Sequence, residues 1–247
     1  MTIISNNENI INFSKLFDDY DIISIEQSAK IINSVNKDRI LFKLYTKDIT
    51  FSQVLFILNE LHFSNREVAR VEKAYPTSDY LIFSLDTETF VYRIYFENLI
   101  NKHAPLNEKH LSLSSIKWDY YNPTKVQHTN YYSILVDRIS TIIEEATKCD
   151  IYKLPVFAHE EINRMLAKDV IHFYSVEDEE TDRKSICIPF NKNTVFLKDV
   201  ENLNGIDLQQ SLQEFENVPI HHIQMGKDKD SNTFYTLYFG ILRKLFA

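Results

Sequence analysis

Between residues 79 and 97 the chain alternates apolar and polar positions with a period of two, in DYLIFSLD (79–86) and VYRIYFE (91–97), with DTET (86–89) between them. Successive side chains of a strand point to opposite faces, so the two segments read as an antiparallel hairpin with one apolar face. The same period predicts strands at RILFKLYTK (39–47), VARVEKAY (68–75), HLSLSSIKWD (110–119), KVQHTNYY (125–132), VIHFYSV (170–176), KSICIPF (184–190), HHIQMG (221–226) and TFYTLYFG (233–240). Turns fall at PTS (76–78), YYNPT (120–124), the acidic EDEETDR (177–183) and KDKDSN (227–232).

Helical spacing appears between these pairs. A short helix is expected near Ile10–Phe17. SIEQSAKIINSV (24–35) has Ile25, Ala29, Ile32 and Val35 at helical intervals, and Ser24 with Gln27 makes a capping-box spacing. TFSQVLFILNELHF (50–63) starts at a capping Thr50. ILVDRISTIIEEATK (134–148) carries Leu135, Ile139, Ile142 and Ile143 on one side, and HEEINRMLAK (159–168) is a shorter helix. A helical stretch over Val195–Phe215, broken near Gly205, precedes the last hairpin.

The sum is about ten strands, mostly in hairpins, with helices inserted between pairs. Parallel βαβ sheets follow each strand with its own crossover, so this rhythm predicts an antiparallel α+β fold. With no low-complexity linker, residues 1–247 are expected to form a single domain. If ten strands close into a barrel, the inner face becomes a lumen with room for a ligand.

Two strands repeat a smaller pattern: Lys43-Leu44-Tyr45 and Arg93-Ile94-Tyr95. In each, the cation and the tyrosine share one strand face while apolar residues take the other. Tyr174 beside His172 and Tyr238 beside Thr236 extend the aromatic pattern, and Lys117 precedes the only tryptophan, Trp118. Rings with polar tips suit the wall of a site for a ligand that is part apolar and part anionic. The plainer interpretation is a solvated sheet face, with Trp118 as a core anchor and Asp119 opening a turn.

Composition removes several functions. Three glycines, and no G-x-x-x-x-G-K-[ST] or G-x-G-x-x-G, exclude the common nucleotide loops. A net charge of -8 without a basic run argues against nucleic acid. No apolar stretch has the roughly 20 residues of a membrane helix, and MTIISNNENI has no secretory leader pattern, so a cytoplasmic location is expected. Cys149 and Cys187 lack metal or redox spacing. His221 and His222 point to opposite faces of a strand, and His159-Glu160-Glu161 is not H-E-x-x-H, so no metal site is expected. Without G-x-S-x-G, hydrolases rank low.

The hairpin-helix rhythm, the ten antiparallel strands and the cation-x-Tyr pairs together resemble the ABBA-type aromatic prenyltransferases. The resemblance implies a ten-stranded antiparallel barrel ringed by helices. It implies transfer of a prenyl group from a prenyl diphosphate to an aromatic acceptor, either a small molecule or a peptide side chain. By that likeness Lys43, Arg93 and Lys117 grip the diphosphate, and Tyr45, Tyr95, Tyr174 and Tyr238, with His172, surround the prenyl cation. Asp119 or Glu97 would accept the proton that the acceptor loses. No cofactor is required, and with no DDxxD-type run Mg2+ is not indicated. The alternative is a non-catalytic α+β module that binds an apolar ligand or a protein partner.

Overall fold

The computed structural model describes residues 8–100, 104–191 and 193–241. Ten strands form one closed sheet: β1 (Ile22–Ile31), β2 (Val35–Tyr45), β3 (Tyr80–Asp86), β4 (Val91–Glu97), β5 (His110–Asp119), β6 (Val126–Val136), β7 (Ile171–Asp178), β8 (Lys184–Pro189), β9 (Ile220–Lys227) and β10 (Thr233–Ile241). Each strand pairs antiparallel with its sequence neighbours, and β1 pairs with β10 to complete the circle. Closure leaves no unpaired sheet edge. The helices are α1 (Glu8–Lys15), α2 (Phe51–Glu60), α3 (Val68–Ala74), α4 (Ile139–Thr147), α5 (Val156–Leu166) and the single turn α6 (Leu208–Ser211). The expected ten-stranded antiparallel barrel surrounded by helices is what the chain forms.

The hydrophobic core lies outside the barrel, between its strands and the helices. Phe13 and Phe17 near α1, and Val54, Ile57 and Leu58 of α2, pack on Phe42, Phe83, Ile94, Phe96 and Trp118 from β2–β5. Phe17 stacks on Phe42 with ring centroids 4.8 Å apart. Trp118 is fully buried and its Nε1 donates to Leu61 O at 2.9 Å. On the other half, α4, α5 and the segment 195–215 cover Phe173, Ile186, Ile188, Ile223, Met225, Leu237 and Phe239. Each such side chain contributes about 1.5–3 kcal/mol by leaving water. The apolar parity of the strands is spent on this shell, so the opposite parity, rich in charged and polar groups, faces the lumen.

Several elements differ from expectation. Residues 24–35 are not a helix. Ile25, Ala29 and Ile31 also fall on one parity, and as β1 they join the outer core while Glu26 and Lys30 face inward. The barrel needs that strand, because β2 and β10 both pair with it. Residues 68–75 are the helix α3 with a 3-10 turn at its end, because the closed sheet has no edge left and Val71 buries itself as part of a helical face. These two exchanges cancel, which is why the strand total agrees.

Residues 134–136 belong to β6, where Ile134, Leu135 and Val136 pair with Phe173, His172 and Ile171, and the helix starts only at Ile139. Over Val195–Phe215 only α6 and two 3-10 turns are helical. The capping box at Thr50 forms as expected, with Thr50 Oγ1 accepting from Gln53 N at 3.3 Å and Gln53 Oε1 accepting from Thr50 N at 2.8 Å.

Candidate functional site

Inward residues of the ten strands divide the lumen into two chambers. The upper one, about 410 Å³, is lined by seven cationic side chains and three carboxylates. In a chain of net charge -8 this is a strong local reversal of sign. It opens into a wider mouth of about 800 Å³. The lower chamber, about 100 Å³, is lined by Leu41, Ile82, Leu113, Tyr174 and Cys187 together with Ser24, Glu26, Lys43, Glu97 and His222. Tyr95, Tyr131 and Tyr238 border both chambers and form the layer between them.

Strand register builds the upper chamber. Arg93 of β4 stands directly across from Lys117 of β5, and Arg39 of β2 across from Asp86 of β3. Lys30 enters from β1 and Arg183 from the β7–β8 turn. The Arg39 guanidinium is buried, with Nε 3.2 Å from Asp86 Oδ2, yet its Nε and Nη1 make no hydrogen bond. Asp86 accepts from Asn36 Nδ2 at 3.2 Å and from Thr89 N at 3.3 Å. Burial raises the Asp86 carboxyl, but Arg39, Arg93 and these hydrogen bonds outweigh it and hold the group below its ordinary value. Among the described residues no hydrogen bond or ion pair engages Arg93. Burial opposes its charge, and Tyr95, Tyr131, Asp86 and Tyr238 more than offset that.

The two lysines register the crowding. Burial, then Arg93, Arg183 and Lys30, push Lys117 down to about 7. Burial, then Arg39, Arg183 and Arg93, push Lys30 down to about 8. Both shifts have the sign expected of cations that share a partly dry space without enough anions. Lys30 Nζ and the Arg183 guanidinium both sit over the Phe234 ring, at 5.5 and 4.8 Å from its centroid.

The tyrosine layer is partly wired. Tyr238 Oη donates to Gln224 Oε1 at 3.0 Å, and Gln224 Nε2 donates to Ser185 Oγ at 2.9 Å. The Tyr95 and Tyr131 ring centroids are 6.1 Å apart, and Tyr131 to Tyr174 is 6.5 Å. Burial raises the Tyr131, Tyr174 and Tyr238 hydroxyls, so all three remain protonated phenols. Below the layer, His222 is pushed down to about 4 by burial and then by Lys43, and is uncharged at neutral pH.

Of the residues singled out from the sequence, the structure brings Arg93, Lys117, Tyr95 and Tyr238 together. Lys43 is not with them. It lies below the tyrosine layer, ion-paired with Glu97 and 4.2 Å from the Tyr80 ring centroid. Tyr174 lines the lower chamber. The Tyr45 ring lies tilted against Tyr80, with centroids 5.2 Å apart, and lines neither chamber. His172 sits beside Tyr174 at 5.5 Å, also outside both linings. Asp119 is at the mouth, where Oδ1 accepts from Tyr121 N at 2.9 Å and Asn122 N at 3.2 Å and so fixes the β5–β6 turn.

Lys30, Arg39, Arg183 and Tyr131 were missed. Lys30 was hidden in the segment read as a helix, and Arg183 in an acidic turn. Arg39 carried a usable signal, since it shares the face of Lys43 four residues on. Among the described residues one group could hold a metal ion: His128, Glu179 and Glu180, with ligand atoms within 4.8 Å of one another. It lies outside the upper chamber's lining, and His128 already stands between Glu180 and Glu67.

No family model matches the sequence, and no curated protein matches it. The structure does resemble solved ones. AnaPT from Neosartorya fischeri superposes with a TM-score of 0.56 at 10% identity, over 89% of this chain and 78% of that one. The 5-dimethylallyltryptophan synthase from Streptomyces coelicolor gives 0.56 at 11% identity, over 87% and 80%. The apo prenyltransferase PriB gives 0.52 at 9% identity, over 87% and 79%. At such identities the likeness is one of fold: this chain folds as the closed, helix-ringed barrel of the aromatic prenyltransferases.

Proposed function

We propose that the protein transfers a prenyl group from a prenyl diphosphate to an aromatic acceptor inside the barrel. The observation that carries this reading is the layering of the lumen: an excess of cations over carboxylates, then three phenols, then a small, partly apolar chamber. An ionised diphosphate answers the excess positive charge in sign and size. Arg93 and Lys117, joined by Arg39, Lys30 and Arg183, hold it with charge-assisted hydrogen bonds strengthened by the partly dry site.

The reaction breaks the bond between the prenyl C1 and the diphosphate oxygen. The diphosphate leaves into the cation cluster, which stabilises its developing charge. The allylic carbocation forms level with Tyr95, Tyr131 and Tyr238, whose ring faces attract a cation and exclude water. An electron-rich aromatic carbon attacks C1 from the lower side, and its proton passes to a base there. Glu97, which faces the lower chamber, suits that role better than Asp119, which is engaged with a turn. Lys43 then serves as the partner of Glu97 rather than as a diphosphate ligand. The fold shared with 5-dimethylallyltryptophan synthase and PriB supports the same reading.

The test is melting temperature with dimethylallyl or geranyl diphosphate and no divalent metal, followed by product analysis with indole and phenol acceptors. A hundredfold excess over Kd stabilises the native state by about 2.7 kcal/mol. For a chain of this size that is a shift of about 5–10 °C. No shift with either diphosphate would overturn the proposal. A shift without transfer to any acceptor would leave only the binding-module alternative.

A further inference from the structure

Among the cations of the upper chamber, the Lys117 amine stands in surroundings that suit a second chemistry besides holding a diphosphate. Lys117 borders both the chamber and the wide mouth, so a small solute reaches its Nζ from solvent. Arg93 faces it from β4, Lys30 from β1 and Arg183 from the β7–β8 turn, all cationic. Three carboxylates line the chamber with it. Asp86 is paired with Arg39, and Asp119, two residues along β5, holds the β5–β6 turn. Asp178 of β7, the acid that bears on it most, has both oxygens occupied. Oδ2 accepts from Gln127 Nε2 at 2.6 Å and Oδ1 from Thr129 Oγ1 at 2.8 Å. The hydrogen bond that Lys117 itself makes goes to the neutral Gln127 Oε1 at 3.3 Å. An amine ringed by cations and lacking a carboxylate partner gives up its proton easily, and its free lone pair is a nucleophile. Its lowering to about 7 agrees with that geometry.

We propose that Lys117 is a reactive amine and that the chamber is a reversible covalent site for phosphorylated aldehydes. The cations that disfavour the ammonium also bind a phosphate, so one small molecule satisfies both features. The Nζ lone pair adds to the carbonyl carbon, giving a carbinolamine that loses its hydroxyl as water. A C=N bond replaces C=O, one water leaves, and no electrons are exchanged. Hydrolysis reverses the step. Because the phosphate uses Arg93 and its neighbours, imine formation and diphosphate binding exclude each other.

Pyridoxal 5′-phosphate is the probe, applied to the full chain near neutral pH, then fixed with borohydride, which reduces the imine to a stable amine for peptide mapping. At this pH a lysine at about 7 is about half neutral while an ordinary one is almost wholly charged. Allowing for the weaker nucleophilicity of a less basic amine, Lys117 should label about thirtyfold faster than an ordinary exposed lysine. Inorganic pyrophosphate should suppress that label, pyridoxal without its phosphate should label Lys117 far less, and K117R should lose this site alone. Labelling spread evenly over exposed lysines, or a Lys117 label indifferent to pyrophosphate, would overturn the inference. Mapping on the unaltered chain needs no variant to fold. The label does not depend on turnover, so a chain that labels at Lys117 yet fails to transfer a prenyl group keeps this inference and loses the reading above. A chain that transfers but labels elsewhere does the reverse.

Discussion

Replacing Arg93 by methionine separates binding from folding, because the structure assigns the arginine's charge to one and its stem to the other. The guanidinium stands in the upper chamber among like charges and contributes to the lowering of both Lys117 and Lys30. Two such charges about 7 Å apart repel by about 2 kcal/mol at an effective dielectric constant near 20. Removing one relieves that repulsion and forfeits a comparable attraction to Asp86. Methionine keeps the apolar stem, so the free protein should melt within about 1 kcal/mol of the unaltered chain, or slightly higher. A prenyl diphosphate, in contrast, loses a charge-assisted contact of about 1.5–3 kcal/mol, which weakens Kd about ten- to a hundredfold. The assay is paired melting curves with and without dimethylallyl diphosphate, and titration calorimetry for Kd. The expected result is an intact free melting point and, at a ligand concentration a hundredfold above the unaltered chain's Kd, a ligand-induced stabilisation that falls from about 2.7 to about 0.4–1.4 kcal/mol. A variant destabilised by more than about 3 kcal/mol that keeps its ligand-induced shift would refute the reasoning and make Arg93 a structural residue.

Other outcomes follow from the same layering. Lys43→Met should leave prenyl diphosphate affinity within about twofold, since the tyrosine layer separates Lys43 from the cation cluster, and a tenfold loss by calorimetry would contradict that placement. Tyr95→Ala should lower kcat more than it raises Kd, because a ring that faces the carbocation matters most when that cation forms, and single-turnover kinetics separate the two. The pH dependence has a definite sign. Lys117 sits at about 7 in the native state against an ordinary 10.5, so the unfolded chain binds more protons between those values and stability from this group rises with pH across them. Diphosphate affinity should fall over the same window as the amine discharges, and Lys117→Met should flatten both curves. His222, at about 4 against 6.5, costs stability as pH falls from 6.5 to 4, so His222→Gln should unfold at lower pH in acid titrations followed by circular dichroism.

Period-two segments such as YLIFSLD and VYRIYFE were legible as strands from the chain alone, because burial on one side of a sheet writes itself into every second residue. A polar strand face was legible too, as the parity of Lys43 and Arg93 against Phe42, Leu44, Tyr92 and Ile94, but only closure of the sheet turns that face into a lumen. Where the chain was misread, two periods coincided. Ile25 and Ala29 satisfy a helix and a strand alike, with Ile32 and Val35 continuing the one period and Ile31 the other, and only the demand of β2 and β10 for a shared neighbour selects the strand. Val68 and Val71 go the other way once no sheet edge remains to receive them.

Height along the barrel was invisible in the sequence. The two cation-x-Tyr patterns are identical on paper, yet the ladder aligns Lys43 with Ile82 and, through it, with Tyr95, while Arg93 falls level with Ser84 and Leu41. That offset of two residues, about 7 Å of strand, puts one cation below the tyrosine layer and the other above it. Arg39, two residues from Leu41 on the same face, takes the place that Lys43 was expected to fill. A strand's own residues set which face each side chain takes; its stagger against nine others, set by hairpin geometry and closure, decides which side chains meet.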